Sequence, residues 1–255
     1  MEEATKRVQQ YWDAYAANLQ VPGKAWGSEG FFAALKSEHD KAYAYTNQIL
    51  TLVNLKGRFL LELGCGIGLD TVEFARHGAQ VRAIDLSPTC VELAKRSLAY
   101  ENLEATLEMG NAEDLHYPAD SFDVVIARGI LMYTPDDSRV IDEIFRVLRP
   151  GGEANILLHN RFSWYTFLAK VSGTNLFHER EDPPVNRLYT VSQVRSRLLN
   201  FSSLQIFLDR FPKATTKRTG GFAQLYSRVF VPVFQLFPSL VIRPIGFYII
   251  AKAVK

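Results

Sequence analysis

Short β-rich segments alternate with amphipathic helical segments between residues 58 and 159. This alternation constrains the fold strongly, because parallel strands need a long crossover connection, which is usually a helix. The helical segments carry their own boundary signals: Ser87 and Pro88 stand in the order of an N-cap and a first helical residue. The pattern predicts a doubly wound α/β domain whose strands are RFLLELG, QVRAIDL, ATLEMGN, SFDVVIARG and GEANILLH.

Three alternating glycines, Gly64, Gly66 and Gly68, follow the first predicted strand. In an open parallel sheet this turn lies at the carboxyl edge, where ligands bind, and glycine lets the backbone approach a ligand closely. The spacing is neither the dinucleotide fingerprint G-x-G-x-x-G nor a P-loop. Asp85 ends the second predicted strand, where a carboxylate accepts hydrogen bonds from ribose hydroxyls. The pattern predicts a ligand with an adenosine and no pyrophosphate.

Five segments occur in order between residues 56 and 159: LELGCGIG, AIDLSP, GNAEDL, SFDVVIARGILMYT and RVLRPGGEA. Together they resemble the successive motifs of class I S-adenosylmethionine-dependent methyltransferases. The resemblance implies a Rossmann-like, seven-stranded and mostly parallel sheet, with SLQIFLDRF as a further strand and GFYIIAKAV as the antiparallel last strand. It also implies S-adenosylmethionine as cofactor and S-adenosylhomocysteine as product. The expected regions are an N-terminal helical lid (1–55), a cofactor-binding core (56–160), and the rest of the sheet with substrate-pocket helices (161–255).

The resemblance also assigns the methionine end of the cofactor to the glycine turn. The backbones of Gly64, Cys65 and Gly66 are expected to contact the methionine part, and Gly68 belongs to the same turn. Glu62, two residues before the turn, is expected to hold the ammonium group, directly or through water. Simple buried packing is the alternative for Cys65.

The adenosine end is assigned by the same resemblance to the next two strands. Asp85 is expected to accept from both ribose hydroxyls, and Leu86 to pack on the adenine. Asn111 stands where the family usually has aspartate; its carbonyl can accept from the adenine amino group, but without charge. The backbone N–H of Ala112 donates to the adenine ring, and Glu113 completes this segment. Asn111 and Glu113 as ordinary turn residues are the alternative.

Catalytic candidates follow the fourth and fifth strands. Ala127 and Arg128 are expected to border the methionine ammonium and the transferred methyl group. His159, at the end of the fifth strand, is the first candidate for a general base, and a structural histidine is the alternative. Tyr133 is the second candidate, at a position where many relatives have histidines. Arg161 is a weaker candidate for binding an anionic group, as is His178 for the base.

Two motifs that the sequence lacks narrow the range of possible methyl acceptors. Enzymes that methylate the exocyclic amines of nucleic-acid bases commonly have an Asn/Asp-Pro-Pro-Tyr/Phe motif where this chain has ARGILM. Enzymes that methylate cytosine at C5 use a cysteine nucleophile that usually follows a proline, and neither Cys65 nor Cys90 does. We therefore expect no DNA substrate. The five histidines have no close metal-ligand spacing, which predicts no metal. The prediction is methyl transfer to oxygen or nitrogen of a small molecule, apolar with an acidic or hydroxyl group.

Charge is distributed unevenly along the chain. Residues 159–255 hold 14 Lys and Arg against 4 Asp and Glu, whereas residues 1–158 hold 15 against 23. The basic part can attract an anionic substrate, RNA or a phospholipid surface. An RNA methyltransferase and a cofactor-binding module without catalysis therefore stay open as alternatives. An aromatic stripe at helical spacing indicates an internal helix face, a wall for a lipophilic substrate, or weak membrane-surface contact: Phe222, Tyr226, Phe230, Phe234 and Phe237.

The chain ends suggest location and further contacts. The N-terminus MEEATKRVQQ lacks the apolar segment of a secretory signal, and two cysteines are too few for a disulfide framework. The apolar window 229–251 contains Arg243 and three prolines, which makes it a poor membrane span. These features predict a cytoplasmic protein.

Among the aromatic residues of the N-terminal helices, Tyr11, Tyr43 or Tyr45 is a candidate contact of the cofactor carboxylate, with simple packing as the alternative.

Overall fold

The computed structural model describes residues 2–51, 54–172, 183–209, 226–236 and 245–255. Within these ranges the strands are β1 Phe59–Leu63, β2 Gln80–Asp85, β3 Thr106–Met109, β4 Phe122–Arg128, β5 Leu148–His159, β6 Ser203–Asp209 and β7 Tyr248–Val254. The α-helices are α1 Glu3–Ala17, α2 Glu29–Thr51, α3 Leu69–Arg76, α4 Pro88–Tyr100, α5 Asp137–Val147, α6 Trp164–Ser172, α7 Val191–Arg197 and α8 Val231–Gln235. A 3₁₀ turn spans Leu131–Tyr133, and a π-helical turn spans Tyr226–Phe230.

The strands form one seven-stranded sheet in the order β3-β2-β1-β4-β5-β7-β6. Strand β7 is antiparallel to β5 and β6, and the other pairs are parallel. The predicted doubly wound, mostly parallel sheet is therefore confirmed, and all seven predicted strand segments contain a strand. The strand order reverses between β1 and β4, and in such sheets the ligand crevice lies outside the carboxyl ends of the strands at that point.

Helices cover both faces of the sheet. Side chains of successive residues point to opposite faces of a strand, so Leu60 packs with Val72 of α3 and Leu98 of α4, whereas Leu61 packs with Ile144 of α5. Burial on both faces fixes the register of β1 and so holds the turn that follows it. The division into a lid (1–55), a core (56–160) and a substrate region (161–255) stays a prediction.

Helix boundaries agree with the predicted caps. The Ser87 hydroxyl accepts a hydrogen bond from the backbone N–H of Cys90, with Pro88 at the first helical position of α4. One boundary differs from the prediction: β5 begins at Leu148 rather than at Gly152, directly after α5. Leu148 is fully buried and pairs with Phe122, and the register shifts before the next pair, Val124 and Glu153. The buried side chain thus extends the strand beyond the glycine pair.

The aromatic stripe lies partly in the described residues. Phe230 ends the π-helical turn and Phe234 lies in α8, with ring centroids 5.8 Å apart, whereas Phe222 and Phe237 lie outside the described residues. Pro232 occupies the first turn of α8, where a missing N–H is tolerated. The π-helical turn and α8 follow one another directly, with Pro232 inside α8. Within the described ranges, none of the helices has both the length and the apolarity needed to cross a membrane.

Candidate cofactor-binding and acceptor site

The three glycines of the turn after β1 have three different neighbours. A Cβ atom on Gly64 would lie 2.1 Å from Cγ2 of Ile130, and one on Gly68 would lie 2.8 Å from the Cα atom of Ala94. A Cβ atom on Gly66 would have no neighbour within 4 Å. Gly64 and Gly68 are therefore required by packing within the protein. Gly66 instead faces open space, which fits a turn that receives a ligand.

A cavity opens at the carboxyl ends of β1, β2, β3 and β4. Seven of the predicted cofactor residues line it: Gly64, Gly66, Asp85, Leu86, Asn111, Ala112 and Arg128. Tyr133, a predicted catalytic residue, lies in the same lining. The structure thus brings together residues from four strand ends that are far apart in the sequence. This grouping is the geometry expected for a ligand bound at a topological switch point.

Asp85 organises the centre of the cavity. Its Oδ2 accepts a hydrogen bond from the N–H of Gly66 (2.8 Å), and its Oδ1 accepts one from the N–H of Ser87 (2.9 Å). Burial raises the pKa of Asp85 above its ordinary value, although these backbone donors oppose the shift. Each carboxylate oxygen has a further lone pair, because a carboxylate offers about four acceptor sites. Two hydroxyls of a ribose are suitable donors for them.

The segment after β3 combines a turn with part of the cavity wall. Oδ1 of Asn111 accepts from the N–H of Glu113 (3.0 Å), which is the turn-forming role considered for Asn111. The same oxygen has a second lone pair for an adenine amino group. The carboxylate of Glu113 is 5% exposed and accepts from the N–H of Asp136 (2.9 Å), the N-cap residue of α5. The buried Glu113 therefore stabilises this part of the cavity wall through its contact with the start of α5.

A buried charged cluster lies under the methionine end of the predicted site. Arg128 Nη1 donates to Asp70 Oδ1 (2.8 Å), and His39 Nε2 of α2 lies 3.4 Å from the same oxygen. Burial alone would raise the pKa of Asp70, but Arg128 and His39 hold it below its usual range. The neighbouring Glu62 accepts from the Thr71 hydroxyl (2.6 Å), and burial followed by repulsion from Asp70 raises its pKa to about 8. Glu62 is thus largely protonated at neutral pH.

Glu62 should make stability depend on pH. The folded chain holds this proton more tightly than the unfolded chain, whose carboxyl has a pKa near 4.5, so the free energy of unfolding falls as pH rises from about 4.5 to about 8. Between pH 5 and 8, we expect the wild type to lose on the order of 1–3 kcal/mol more than Glu62→Gln. Urea denaturation across this range measures the difference. The exposed Glu104→Gln is the control, and equal pH slopes for all three proteins would contradict the assignment.

Other predicted cofactor residues lie next to the cavity without being among its described lining residues. The Cys65 thiol is buried, and burial raises its pKa well above the ordinary value, so it is an inert packing group. Ala127 is fully buried in β4. Gly68 precedes α3 and allows close packing on Ala94 of α4. Their contribution to cofactor binding stays a prediction, through backbone atoms or through the shape of the turn.

Helix α1 covers the cavity and supplies residues that were not assigned from the sequence. Thr5, Val8 and Trp12 line the cavity; their i, i+3, i+7 spacing places them on one helix face. Asp13 fixes the helix in place by accepting from the Ser87 hydroxyl (2.7 Å) and from the N–H of Thr89 (3.0 Å). The remaining lining residues come from strand ends and from the segments that follow them: Ile84, Cys90, Gly110, Gly129, Ile130, Thr134 and Pro135.

The two predicted catalytic residues belong to a series of aromatic contacts. The rings of Trp12 and Tyr133 have centroids 5.0 Å apart, and Tyr133 and His159 are 6.2 Å apart. His159 stacks on Phe247 at 4.6 Å, and Phe247 lies 4.5 Å from Tyr165 of α6. Tyr133 thus lines the cavity, and His159 is one ring further along the series. The series connects the cavity to the C-terminal helices.

The remaining candidates lie elsewhere. The Tyr11 ring packs on Trp12 (5.0 Å), as in the packing alternative. The side chains of Tyr43 and Tyr45, and the whole of His178, lie outside the described residues. Arg161 lines a neighbouring groove. Within the described ranges, no group of three His, Cys, Asp or Glu side chains is arranged to hold a metal ion.

Solved structures define the class of the fold. Magnesium protoporphyrin IX methyltransferase from Synechocystis PCC 6803, crystallised with bound S-adenosylhomocysteine, gives a TM-score of 0.61 at 14% identity, over 98% of this chain and 99% of that chain. An S-adenosylmethionine-dependent methyltransferase from Mesorhizobium loti gives a TM-score of 0.56 at 20% identity, over 85% of this chain and 99% of that chain. The protein therefore has the class I methyltransferase fold.

Sequence comparisons show which proteins the central part of the chain is similar to. The family model described as a methyltransferase domain matches residues 61–156. The ubiquinone biosynthesis O-methyltransferase of Coxiella burnetii is 29% identical over 136 residues, which are 53% of this chain and 57% of the relative. The enzyme of the same name from Xanthomonas oryzae pv. oryzae is 31% identical over 150 residues, 58% of this chain and 60% of the relative. The match thus spans less than two thirds of these relatives. Residues 61–156 match a methyltransferase domain, and the fold is that of S-adenosylmethionine-dependent methyltransferases, which confirms the resemblance and its cofactor.

Proposed function

We propose that the protein transfers the methyl group of S-adenosylmethionine to an oxygen atom of a small, partly apolar acceptor. The observation that carries this proposal is the cavity lined by Asp85 and Tyr133, in which Gly66 faces open space. This geometry suits a nucleoside at one end and an acceptor at the other. An oxygen acceptor is supported by the name O-methyltransferase shared by the curated relatives. Transfer to a nitrogen atom of the acceptor is the alternative.

In this proposal the described residues divide the cofactor between two ends of the cavity. Asp85 accepts from the ribose hydroxyls, with Leu86 and Ala112 beside the adenine and Asn111 accepting from its amino group. The backbone of Gly66 borders the methionine part. We assign the rest of the methionine end to the backbones of Gly64 and Cys65, with Glu62 holding the ammonium group and Arg128 bordering it.

The bound cofactor supplies an electrophilic sulfonium methyl group, and the protein supplies position, desolvation and a base. Tyr133 lies in the cavity wall, where its hydroxyl can orient an acceptor oxygen. We propose His159 as the base; the contact of its ring with Tyr133 supports this role, and a structural role is the alternative. Trp12 packs on Tyr133 and limits access of water from the α1 side.

An apolar acceptor is supported by the aromatic series that begins at the cavity. Tyr133 lines the cavity and packs on His159, behind which Phe247 is buried against Tyr165, so this side of the cavity is aromatic and suits aromatic or aliphatic groups better than a charged polymer. Contact with a membrane surface and a cytoplasmic location stay predictions from the sequence.

The test is a transfer assay with phenols and matched anilines, with and without an alkyl chain, measured as S-adenosylhomocysteine formed. We expect phenols to be methylated, and an alkyl chain to lower KM. For His159→Gln we expect kcat to fall about 100- to 10,000-fold without a change in cofactor affinity, because a general base contributes about that factor. Tyr133→Phe keeps the ring and is the matched comparison.

The alternatives give different results in the same assay. Methyl transfer to RNA but to none of the small acceptors would identify an RNA methyltransferase. Tight binding of S-adenosylhomocysteine without transfer to any acceptor would identify a binding module. Equal activity of wild type and His159→Gln would support methyl transfer but would show that His159 is not its general base.

A further inference from the structure

A second groove lies beside the cofactor cavity, between the carboxyl end of β5 and helix α7. Arg187 connects the two, because its guanidinium group donates to the backbone carbonyls of Thr134 and Pro135, and both residues line the cavity. Three arginines line the groove, Arg161, Arg187 and Arg197, together with the polar residues Asn186, Tyr189 and Gln193.

Positive charge exceeds negative charge in this groove. Arg161 Nη2 donates to the carbonyl of Leu188 (3.1 Å), and neither Arg161 nor Arg187 has a carboxylate partner in the part of the chain that the structure describes. Arg197 Nε donates to Asp137 Oδ2 (2.9 Å), an oxygen that already accepts from the Tyr189 hydroxyl (2.8 Å). Of the three guanidinium groups, only that of Arg197 is paired with a carboxylate among the described residues.

Gln193 also offers a donor to the groove. Its Oε1 accepts from the N–H of Thr190 (2.9 Å), and the Thr190 hydroxyl accepts in return from the N–H of Gln193 (3.1 Å). This capping box fixes the carbonyl end of the amide, so that the Nε2 group is left for a ligand. The three arginines and Gln193 therefore offer mainly hydrogen-bond donors to a ligand in the groove.

We propose that this groove binds the anionic group, a carboxylate or a phosphate, of the acceptor. Guanidinium groups bind both anions through paired, charge-assisted hydrogen bonds. The proposal rests on the proposed function in one respect: the anion belongs to the molecule whose other end reaches the cofactor cavity. The contact of Arg187 with the cavity rim supports that arrangement, because it places the two sites on opposite sides of one short segment.

The test is binding of inorganic phosphate and of benzoate, followed by NMR at the arginine Nε–H signals and at constant ionic strength. In the wild type we expect saturable shifts at Arg161 and Arg197. Arg161→Gln should weaken binding about tenfold, which corresponds to about 1.4 kcal/mol. The control is Arg195→Gln, an exposed arginine of α7 outside the groove, which should bind as the wild type does. The stronger of the two probes distinguishes a phosphorylated from a carboxylic acceptor.

Three outcomes would overturn the proposal: no saturable shift with either anion, equal weakening in Arg161→Gln and Arg195→Gln, or binding of an RNA oligomer without binding of the small anions. Arg187→Lys, which keeps the charge but not the paired geometry, is a second variant and should bind more weakly than the wild type. The NMR measurement needs neither cofactor nor methyl transfer. Titration of the same samples with S-adenosylhomocysteine tests the proposed function separately.

Discussion

Replacing Asp85 with asparagine should weaken binding of S-adenosylhomocysteine by about five- to 150-fold, or about 1–3 kcal/mol. The Asp85 carboxylate already accepts from Gly66 and Ser87, and its remaining lone pairs are the acceptors proposed for the ribose hydroxyls. An asparagine has one acceptor oxygen, so it cannot replace both carboxylate oxygens. Calorimetric titration at neutral pH measures the loss.

Stability should respond differently to the same change. Burial raises the pKa of Asp85, which means that the ionised side chain is less favourable in the folded than in the unfolded chain at neutral pH. A neutral amide removes this cost and offsets part of the lost hydrogen bond. We therefore expect the free energy of unfolding to change less than the free energy of binding.

The matched control for Asp85→Asn is Asp142→Asn, the same chemical change at an exposed position of α5. It should leave both the affinity and the stability unchanged. Full affinity in Asp85→Asn would place the ribose elsewhere. A parallel fall of affinity and stability would indicate that Asp85 acts only by holding the glycine turn.

The strands, and the edge of the sheet that carries the site, were predictable because short local sequence patterns specify them. Apolar segments such as the one around Leu60 and Leu61 are buried on both faces, and this double burial leaves a continuous apolar pattern in the sequence. The turn glycines and Asp85 follow such strands directly. Once the strands are parallel, these residues must meet at one edge, whatever the details of packing.

The direction of individual side chains was less predictable. Glu62 precedes the turn, but its carboxyl group bonds to Thr71 of α3. Glu113 follows Asn111, but its carboxylate bonds to Asp136. In both cases a partner on a later segment determines where the carboxyl group lies. Sequence motifs place such residues near the site without showing which atoms face the ligand.

The contribution of α1 could be predicted only in part. Its aromatic, helical sequence indicated a cover over the cofactor, and the spacing of Thr5, Val8 and Trp12 marks a single helix face. The contact between Asp13 and the start of α4 depends on tertiary packing, because 74 positions separate Asp13 from Ser87. No local pattern specifies a contact over that distance.

The glycines of the turn should separate cofactor binding from stability. For Gly68→Ala we expect a loss of about 2–4 kcal/mol in the free energy of unfolding, because the added methyl would lie 2.8 Å from the Ala94 backbone and the φ of 82° disfavours a side chain. For Gly66→Ala the loss should be about 1 kcal/mol, from its φ of 52° alone. The cost at Gly66 is small because nothing in the protein occupies the place of the new methyl.

Affinity for S-adenosylhomocysteine should show the opposite order. The methyl of Gly66→Ala would occupy the open space proposed for the cofactor, so affinity should fall about tenfold or more, as for the loss of about 1.4 kcal/mol. The folded fraction of Gly68→Ala should bind as the wild type does, because its methyl points into the contact between α3 and α4. Urea denaturation measures the free energy of unfolding of each variant, and calorimetric titration measures its affinity for S-adenosylhomocysteine. Full affinity in Gly66→Ala would mean that the cofactor does not approach the turn there, and the open space would then need another occupant.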